Sequence, residues 1–266
     1  MSTNAFLSLF AGRDEATPVD PMKAAQGSMR NALPRRFYTD AGTDLRDGQW
    51  QLLLDGRPAR TPAKRFLAVD KRAVALALAA EWQAQDEVIQ PARMPLTRLL
   101  NAAIDGVALQ ADAVRDEIVR YAGNDLICYR AEAPAELVQL QDEAWDPLLD
   151  WSSVRLGATF LTARGIVHAR QPASAGKAIQ DAVSAVTSPV PLAALSLVTT
   201  LTGSAVIALA LALGHLDAVA AWAAAHVDED YQARIWGADD EAIARQANRR
   251  RDFGAAALVL ASAMPN

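Results

Sequence analysis

Few residues of this chain stand at spacings that support catalysis or metal binding. None of its three histidines, His168, His215 and His226, has a partner at the spacing with which a helix presents two metal ligands. Ser196 and Ser204 lie in an apolar stretch that lacks the G-x-S-x-G turn of a nucleophilic serine. No glycine-rich phosphate-binding loop is present. The sequence therefore predicts a protein that is not an enzyme and needs no metal or cofactor.

The acidic run Asp228, Glu229 and Asp230 is the main candidate for a binding site. Apolar residues around it recur every three or four positions, which predicts one helix from Leu216 to Trp236 with a buried stripe. The stripe consists of Leu216, Val219, Ala223, Val227, Tyr231 and Ile235. At about 100° per residue, Glu229 then points away from the core, with the two aspartates on its flanks. Carboxylates well inside a helix gain nothing from its dipole, so a basic partner would relieve their repulsion. The alternative is a solvated helix face.

A second acidic group stands at the predicted start of the last helix. Asp239, Asp240 and Glu241 suit a first helical turn, and Glu241 is placed to pair with Arg245 four residues later. These features give the group a sufficient structural explanation. Asp240 and Glu241 remain further candidates for partner binding, after the Asp228–Asp230 run.

Several other polar and aromatic residues have competing structural and functional interpretations. Arg98, Asn101 and Asp105 share one helix face, where they form either a structural network or a partner contact. An enzyme with a site between two domains is an alternative hypothesis, with Asp105, Asp125 and Tyr129 as its candidates. Core packing is the expected role of the large aromatic residues and of the single cysteine, namely Trp82, Trp145, Trp151 and Cys128.

Composition excludes several classes of protein. The chain has 266 residues, of which 52% are hydrophobic and 21% charged, so it is globular rather than disordered. Its net charge of −5 gives no electrostatic support for binding nucleic acid. A single cysteine excludes an internal disulfide and indicates a reducing compartment, which predicts a cytoplasmic protein. The first residues resemble neither a signal peptide nor a mitochondrial presequence.

The stretch from Pro189 to His215 is apolar and long enough to cross a bilayer. Threonines, a glycine and a serine occupy its middle, and no cluster of basic residues flanks it. We therefore expect Leu192–Leu213 to be a buried core helix and not a stable membrane insertion. A membrane-associated helical protein remains the alternative.

Periodicity divides the chain into a mixed part and a helical part. The stretch 35–69 reads as strands, with a hairpin turn at Asp55-Gly56, and helices dominate from about residue 70 onward. We predict an α+β fold in which a small β-rich, mixed N-terminal domain precedes a mainly α-helical C-terminal domain. The predicted parts are a flexible arm at residues 1–32, a mixed α/β domain at 33–132 and a helical domain at 133–266.

Several segments also carry a family resemblance. LLLDGRPARTPAKRF, EWQAQ, MPLTRLLNAAIDGV, NDLICYR, EAWDPLLDW and DEDYQARIWG stand in this order along the chain. Together they resemble the assembly-chaperone family of the F1 ATP synthase that handles the alpha subunit, over roughly residues 34–262. The resemblance implies a chaperone that shields the unassembled alpha subunit, and we expect it to be a monomer without a cofactor. It also implies that an acidic residue of the C-terminal region is needed, and Glu229 is the first candidate.

Overall fold

The computed structural model describes residues 33–165, 167–237 and 239–263. Within them the chain divides into two compact units after Asp105. The first unit contains a small antiparallel sheet and two helices, and the second is almost entirely helical. The predicted α+β class, with strands in the N-terminal part and helices in the C-terminal part, is confirmed. The predicted arm, residues 1–32, lies outside the described residues.

The sheet is organised around one central strand. Its strands are β1 (Ala41–Arg46), β2 (Gln49–Leu54), β3 (Arg57–Pro58) and β4 (Ala68–Val69), and β2 pairs antiparallel with each of the others. The predicted turn at Asp55-Gly56 is confirmed, with φ of 47° and 75°. Asp47-Gly48 forms the β1–β2 turn in the same way, with φ of 52° and 80°. Two consecutive positive φ values are what a two-residue hairpin turn requires, and this explains both Asp-Gly pairs.

Two helices complete the first unit, α1 (Arg72–Gln83) and α2 (Pro95–Asp105). The Glu81 carboxylate at the end of α1 accepts hydrogen bonds from the backbone amides of Leu96 and Thr97, both at 2.8 Å. It thereby satisfies two amides in the first turn of α2, which have no hydrogen-bond acceptor within the helix itself. The Thr97 hydroxyl donates to Glu81 and accepts from Trp82 Nε1 at 2.9 Å. The segments EWQAQ and MPLTRLL therefore join the two helices, and their polar residues have a structural role.

The sequence pattern predicts that Asp70 caps helix α1 and that Val74, Leu76 and Leu78 lie on its buried side. The structure departs from this prediction in two details. Its N-cap is Lys71 rather than Asp70, whose carboxylate instead accepts a hydrogen bond from the Gln49 side chain at 2.9 Å. Val74 and Leu78 are buried as predicted, whereas Leu76 is 48% exposed. The reason is that α1 buries the face that packs on β1 and β2, and a residue two positions away points to the opposite side.

The second unit is built from eight helices in the described residues. They are α3 (Ala111–Ala122), α4 (Ala135–Leu156), α5 (Ala173–Ser184), α6 (Pro189–Thr202), α7 (Ala205–Ala212), α8 (Ala218–Ala225), α9 (Val227–Trp236) and α10 (Asp240–Ala263). Pro147 lies inside α4, which continues through it as a single helix. A short parallel pair joins β5 (Tyr129–Arg130) to β6 (Ala163–Arg164). The apolar run Leu126–Tyr129 is read from the sequence as a strand, but Leu126–Cys128 forms a 3₁₀ turn and β5 begins only at Tyr129.

The division after Asp105 lies well before the boundary inferred from the sequence, near residue 132. Helix α3 buries Val114, Ile118 and Ala122, and it packs against α5 and α6 of the second unit. The sequence-based boundary follows the last short strand pattern, at residues 126–129, beyond which the sequence pattern is almost entirely helical. Helices on either side of such a change can share one core, as α3 does, so a change in pattern is a poor guide to domain limits.

The apolar stretch Pro189–Leu213 forms two helices rather than one. Gly203 adopts φ 67° and ends α6, and the Ser204 hydroxyl starts α7 by accepting a hydrogen bond from the Ile207 amide at 3.0 Å. Nearly every side chain from Leu192 to Leu211 is buried, which confirms the predicted core position for these residues, whereas Leu213 at the end of the predicted helix is 44% exposed. The prediction of a single helix is wrong. No helix in the described residues is both long enough and apolar enough to cross a bilayer.

Replacing Gly203 with alanine should destabilise the protein by about 1–2 kcal/mol, the cost of a left-handed conformation for a residue with a Cβ. The added Cβ would lie 3.6 Å from the Leu126 Cβ, an ordinary contact, so the cost is conformational. Gly176 is the matched control, because it lies inside α5 with open space around it. Gly176→Ala should stabilise the protein by up to about 1 kcal/mol. Denaturant unfolding checks both, and equal effects would contradict the strained turn.

Candidate functional site

An open groove runs between α4 and the helices α8 and α9. Its volume is about 580 Å³. One wall presents Leu140, Ala144 and Leu148 of α4, which stand four residues apart and therefore share one face. The other wall combines alanines of α8 with the half-buried Val227 and Tyr231 of α9. The groove is thus an apolar surface left open in the folded unit.

The apolar stripe predicted to be buried on a single helix from Leu216 to Trp236 instead lines this groove or is exposed to solvent. Val219 is 69% exposed and Ile235 is 50% exposed, and no residue of α9 is buried. Four other members of the predicted stripe line the groove: Leu216, Ala223, Val227 and Tyr231. The prediction that the stripe faces the core is therefore wrong. The pattern identified residues that share a side, but that side is not covered.

The predicted helix breaks at His226, between α8 and α9. Two side chains satisfy carbonyl groups in the last turn of α8, where partners within the helix are missing. Trp145 Nε1 donates to the carbonyl of Ala224 at 2.7 Å, and His226 Nδ1 donates to that of Trp222 at 2.8 Å. The buried His226 ring also stacks on Trp222, with 3.8 Å between the ring centroids. These contacts stabilise the end of α8 and let the chain start a new helix.

The break changes the electrostatics of the Asp228–Asp230 run. All three acids occupy the first turn of α9, where the helix dipole stabilises negative charge. The prediction that they lie well inside a helix, without help from the dipole, is wrong. Asp228 is half-buried and its carboxylate accepts a hydrogen bond from Gln141 Nε2 at 2.6 Å. Glu229 and Asp230 are exposed.

The two exposed acids face different surroundings. Asp230 lines the groove, together with Glu143 and Arg234. Glu229 lines a smaller cavity of about 260 Å³, together with Arg245 and Arg249 of α10. The three neighbouring acids therefore do not form one concentrated site. One borders the groove, one faces α10, and one is engaged with α4.

Asp240 and Glu241 lie in the first turn of α10, as predicted. Asp239 caps this helix by accepting a hydrogen bond from the Ala242 amide at 2.6 Å, and Glu241 forms an ion pair with Arg245. Neither Asp240 nor Glu241 is among the residues that line the groove. Their contacts are those expected of acids at a helix N-terminus, and a role in partner binding remains a prediction for both.

The three residues named as candidates for an enzyme site are each engaged in hydrogen bonds within the protein. Asp105 accepts hydrogen bonds from the Thr61 hydroxyl at 2.7 Å and the Ala63 amide at 2.9 Å. Asp125 is fully buried, and its carboxylate accepts hydrogen bonds from backbone amides. The Tyr129 hydroxyl lies 3.0 Å from His168 Nδ1. Across the described ranges, no group of histidine, cysteine or acidic residues is arranged to hold a metal ion.

Cys128 is buried, as predicted. Burial, together with the negative charge of Asp125, raises the pKa of its thiol to about 12. The reactive thiolate is therefore scarce at neutral pH, which agrees with a structural role.

The α4 wall of the groove was not identified from the sequence. Its signal was present, because Leu140, Ala144 and Leu148 recur every four residues in a segment predicted to be helical. Arg234 was also missed. It forms an ion pair with Glu136 at 2.7 Å and lies over the Tyr231 ring.

Comparison with known proteins agrees with the resemblance seen in the sequence. Residues 35–153 match the family described as ATP12 chaperone protein. The mitochondrial protein atp12 of Schizosaccharomyces pombe is 26% identical over 220 residues, which cover 78% of this chain and 75% of that protein. The crystal structure of Atp12 from Paracoccus denitrificans is 41% identical, with a TM-score of 0.79 over 87% of this chain and 99% of that one.

A candidate chaperone from Agrobacterium tumefaciens, also known from a crystal structure, is 46% identical to this chain. Its TM-score is 0.83, and the match covers 94% of this chain and 93% of that one. The family match ends before α8 and α9, whereas these structural matches extend over most of both units. This chain therefore belongs to the ATP12 family of F1 ATP synthase assembly chaperones.

Proposed function

We propose that this chain binds the unassembled alpha subunit of F1 ATP synthase and covers the surface that later meets a partner subunit. The role in F1 assembly follows from family membership. The choice of the alpha subunit rests on the resemblance of the sequence segments, because the names of the relatives specify no subunit. The observation that best supports a shielding role is the open apolar groove beside the acidic first turn of α9.

Shielding explains why an apolar groove remains open in this protein. A subunit separated from its neighbours exposes apolar surface, and large exposed apolar patches favour aggregation. A chaperone that offers a complementary apolar surface covers such a patch reversibly. No covalent bond is made or broken in this process, so it needs neither a cofactor nor nucleotide hydrolysis. The cytoplasmic location and the monomeric state predicted from the sequence are part of this proposal.

Glu229→Lys tests whether the acidic turn contributes to binding. The change should lower the free energy of unfolding by about 1 kcal/mol, because the exposed Glu229 loses its interaction with the helix dipole and its solvent-screened attraction to the nearby Arg245 and Arg249. Capture of the alpha subunit should fall about tenfold through slower electrostatic association. The measurements are thermal melting and the amount of soluble alpha subunit on co-expression. We prefer this position to Asp228, whose substitution would also break the hydrogen bond to Gln141.

Asp181→Lys is the matched control, because Asp181 is an exposed acid of α5. Among the described residues its ion-pair partner is Lys177, at 3.0 Å. This control makes the same charge change outside the acidic run and should leave capture unchanged. If wild-type protein does not keep the alpha subunit soluble, the proposed partner is wrong. If capture survives both Glu229→Lys and lysine at all of Asp228, Glu229 and Asp230, the acidic run is a solvated helix face.

A further inference from the structure

We infer that the groove between α4 and α8–α9 binds one amphipathic helical segment of the client, with an apolar face turned inward and a lysine or arginine at its edge. This inference rests on the proposed function, because the client is taken to be the alpha subunit. It adds the place on the chaperone where the client binds and the kind of segment that it presents.

The dimensions of the groove fit a short length of helix. Leu140, Ala144 and Leu148 extend along two turns of α4, about 12 Å at 1.5 Å per residue. The groove volume of about 580 Å³ lies within the range of roughly 300–1,000 Å³ that is usual for binding clefts. Ala220, Ala223 and Ala224 on the opposite wall leave room that larger side chains would fill.

The walls of the groove favour a helix over an extended strand. Both walls are helical, so their backbone groups are already paired along the helices. An extended peptide binds by adding to an exposed sheet edge, which this surface does not present. In an apolar groove its own amides would lose water without gaining partners. A helix satisfies its backbone internally and offers apolar side chains at intervals of three and four residues.

The charges at the edge of the groove define the second property of the segment. Glu143 and Asp230 contribute two negative charges, and Arg234 is the single basic residue of the lining. Arg234 is already engaged by Glu136, at 2.7 Å, and by the Tyr231 ring. The edge therefore carries excess negative charge, which a basic side chain of the client would balance. A symmetric dimer through this face would bring the same acids together, which disfavours a second copy of the chain.

Filling the groove tests its role. Ala223 is an exposed groove residue of α8, so Ala223→Trp should fold normally and lower capture of the alpha subunit at least about tenfold. Val219→Trp is the matched control, because Val219 lies on the same helix, is 69% exposed, and is not among the residues that line the groove. This control should capture the alpha subunit within about twofold of wild type. Thermal melting of both variants verifies that they are folded.

A photo-crosslinking amino acid at position 220 identifies what occupies the groove in the otherwise unchanged full-length chain. On co-expression with the alpha subunit, we expect a crosslink to an alpha segment with apolar residues at helical spacing and a neighbouring lysine or arginine. A crosslink to an extended or purely acidic segment, or to a second copy of the chaperone, would overturn the inference. Equal capture of the alpha subunit by wild type and Ala223→Trp would also overturn the inference about the groove. The proposed function would still stand in that case. Failure of wild type itself would overturn the proposed partner.

Discussion

Replacing Trp145 with alanine is expected to lower the free energy of unfolding by about 4 kcal/mol, within the range for truncating a buried aromatic side chain. Trp145 has no solvent exposure, its Nε1 donates to the carbonyl of Ala224 at 2.7 Å, and the Arg130 guanidinium lies 5.2 Å from its ring centroid. The alanine variant leaves a large cavity between α4 and α8 and removes the cap of α8. Denaturant unfolding at neutral pH measures the change.

Trp145→Phe separates the ring from its hydrogen bond. It keeps most of the apolar bulk and leaves the Ala224 carbonyl without this donor, so it should cost about 1–3 kcal/mol. Equal losses for phenylalanine and alanine would show that the hydrogen bond, rather than packing, dominates at this position. Because Trp145 holds α8 against α4, the alanine variant should also lose client capture. It is therefore unsuitable for locating the binding surface, which requires the exposed positions of the groove.

Replacing Asp125 with alanine is expected to cost about 3 kcal/mol, because it leaves buried backbone amides without an acceptor. The fully buried carboxylate accepts hydrogen bonds from Val206 at 3.1 Å and from Ile127 at 3.4 Å. It thereby joins the start of α7 to the 3₁₀ turn Leu126–Cys128. Asp125→Asn keeps one acceptor and should cost less. An alanine variant as stable as wild type would contradict this structural role.

Asp125 should also make stability depend on pH. Burial raises the pKa of its carboxyl from 3.8 to about 6, and hydrogen bonds from Ser204 and Val206 offset only part of this effect. Between these values the folded state binds the proton more tightly than the unfolded state, so this group adds stability as pH falls from about 6 to about 4. The contribution is fully present below the unfolded pKa and is lost as pH rises through the folded pKa.

The asparagine variant isolates this effect because it cannot titrate there. Between pH 7 and pH 4, the stability of wild type relative to Asp125→Asn should increase by about 2 kcal/mol. Taking the difference between the two proteins cancels the pH-dependent contributions of the other carboxyls. Among these, backbone amides lower the pKa of Asp55 and a hydrogen bond from Arg164 lowers the pKa of Asp142. A difference that stays constant with pH would show that burial does not raise the pKa of Asp125.

The sequence by itself determined the features that depend on near neighbours. The Asp55-Gly56 turn and the acidic start of α10 both follow from local backbone preferences, which act within a few residues. Burial of Cys128 and of the Leu192–Leu211 stretch follows from their apolar neighbours. The segments EWQAQ and MPLTRLL also marked the family, and hydrogen bonds between their residues join α1 to α2.

Only the tertiary structure decided which apolar surfaces are covered. A repeat of three and four places Leu216, Ala223, Val227 and Tyr231 on one side, but whether that side is buried depends on α4, whose residues lie far away in the sequence. The break at His226 likewise depends on Trp145, a distant residue that caps α8, and it moves the three acids into a first turn. The same reason explains the unit boundary, because α3 belongs with the helices that bury it. Periodicity shows which residues share a face, and packing determines what that face meets.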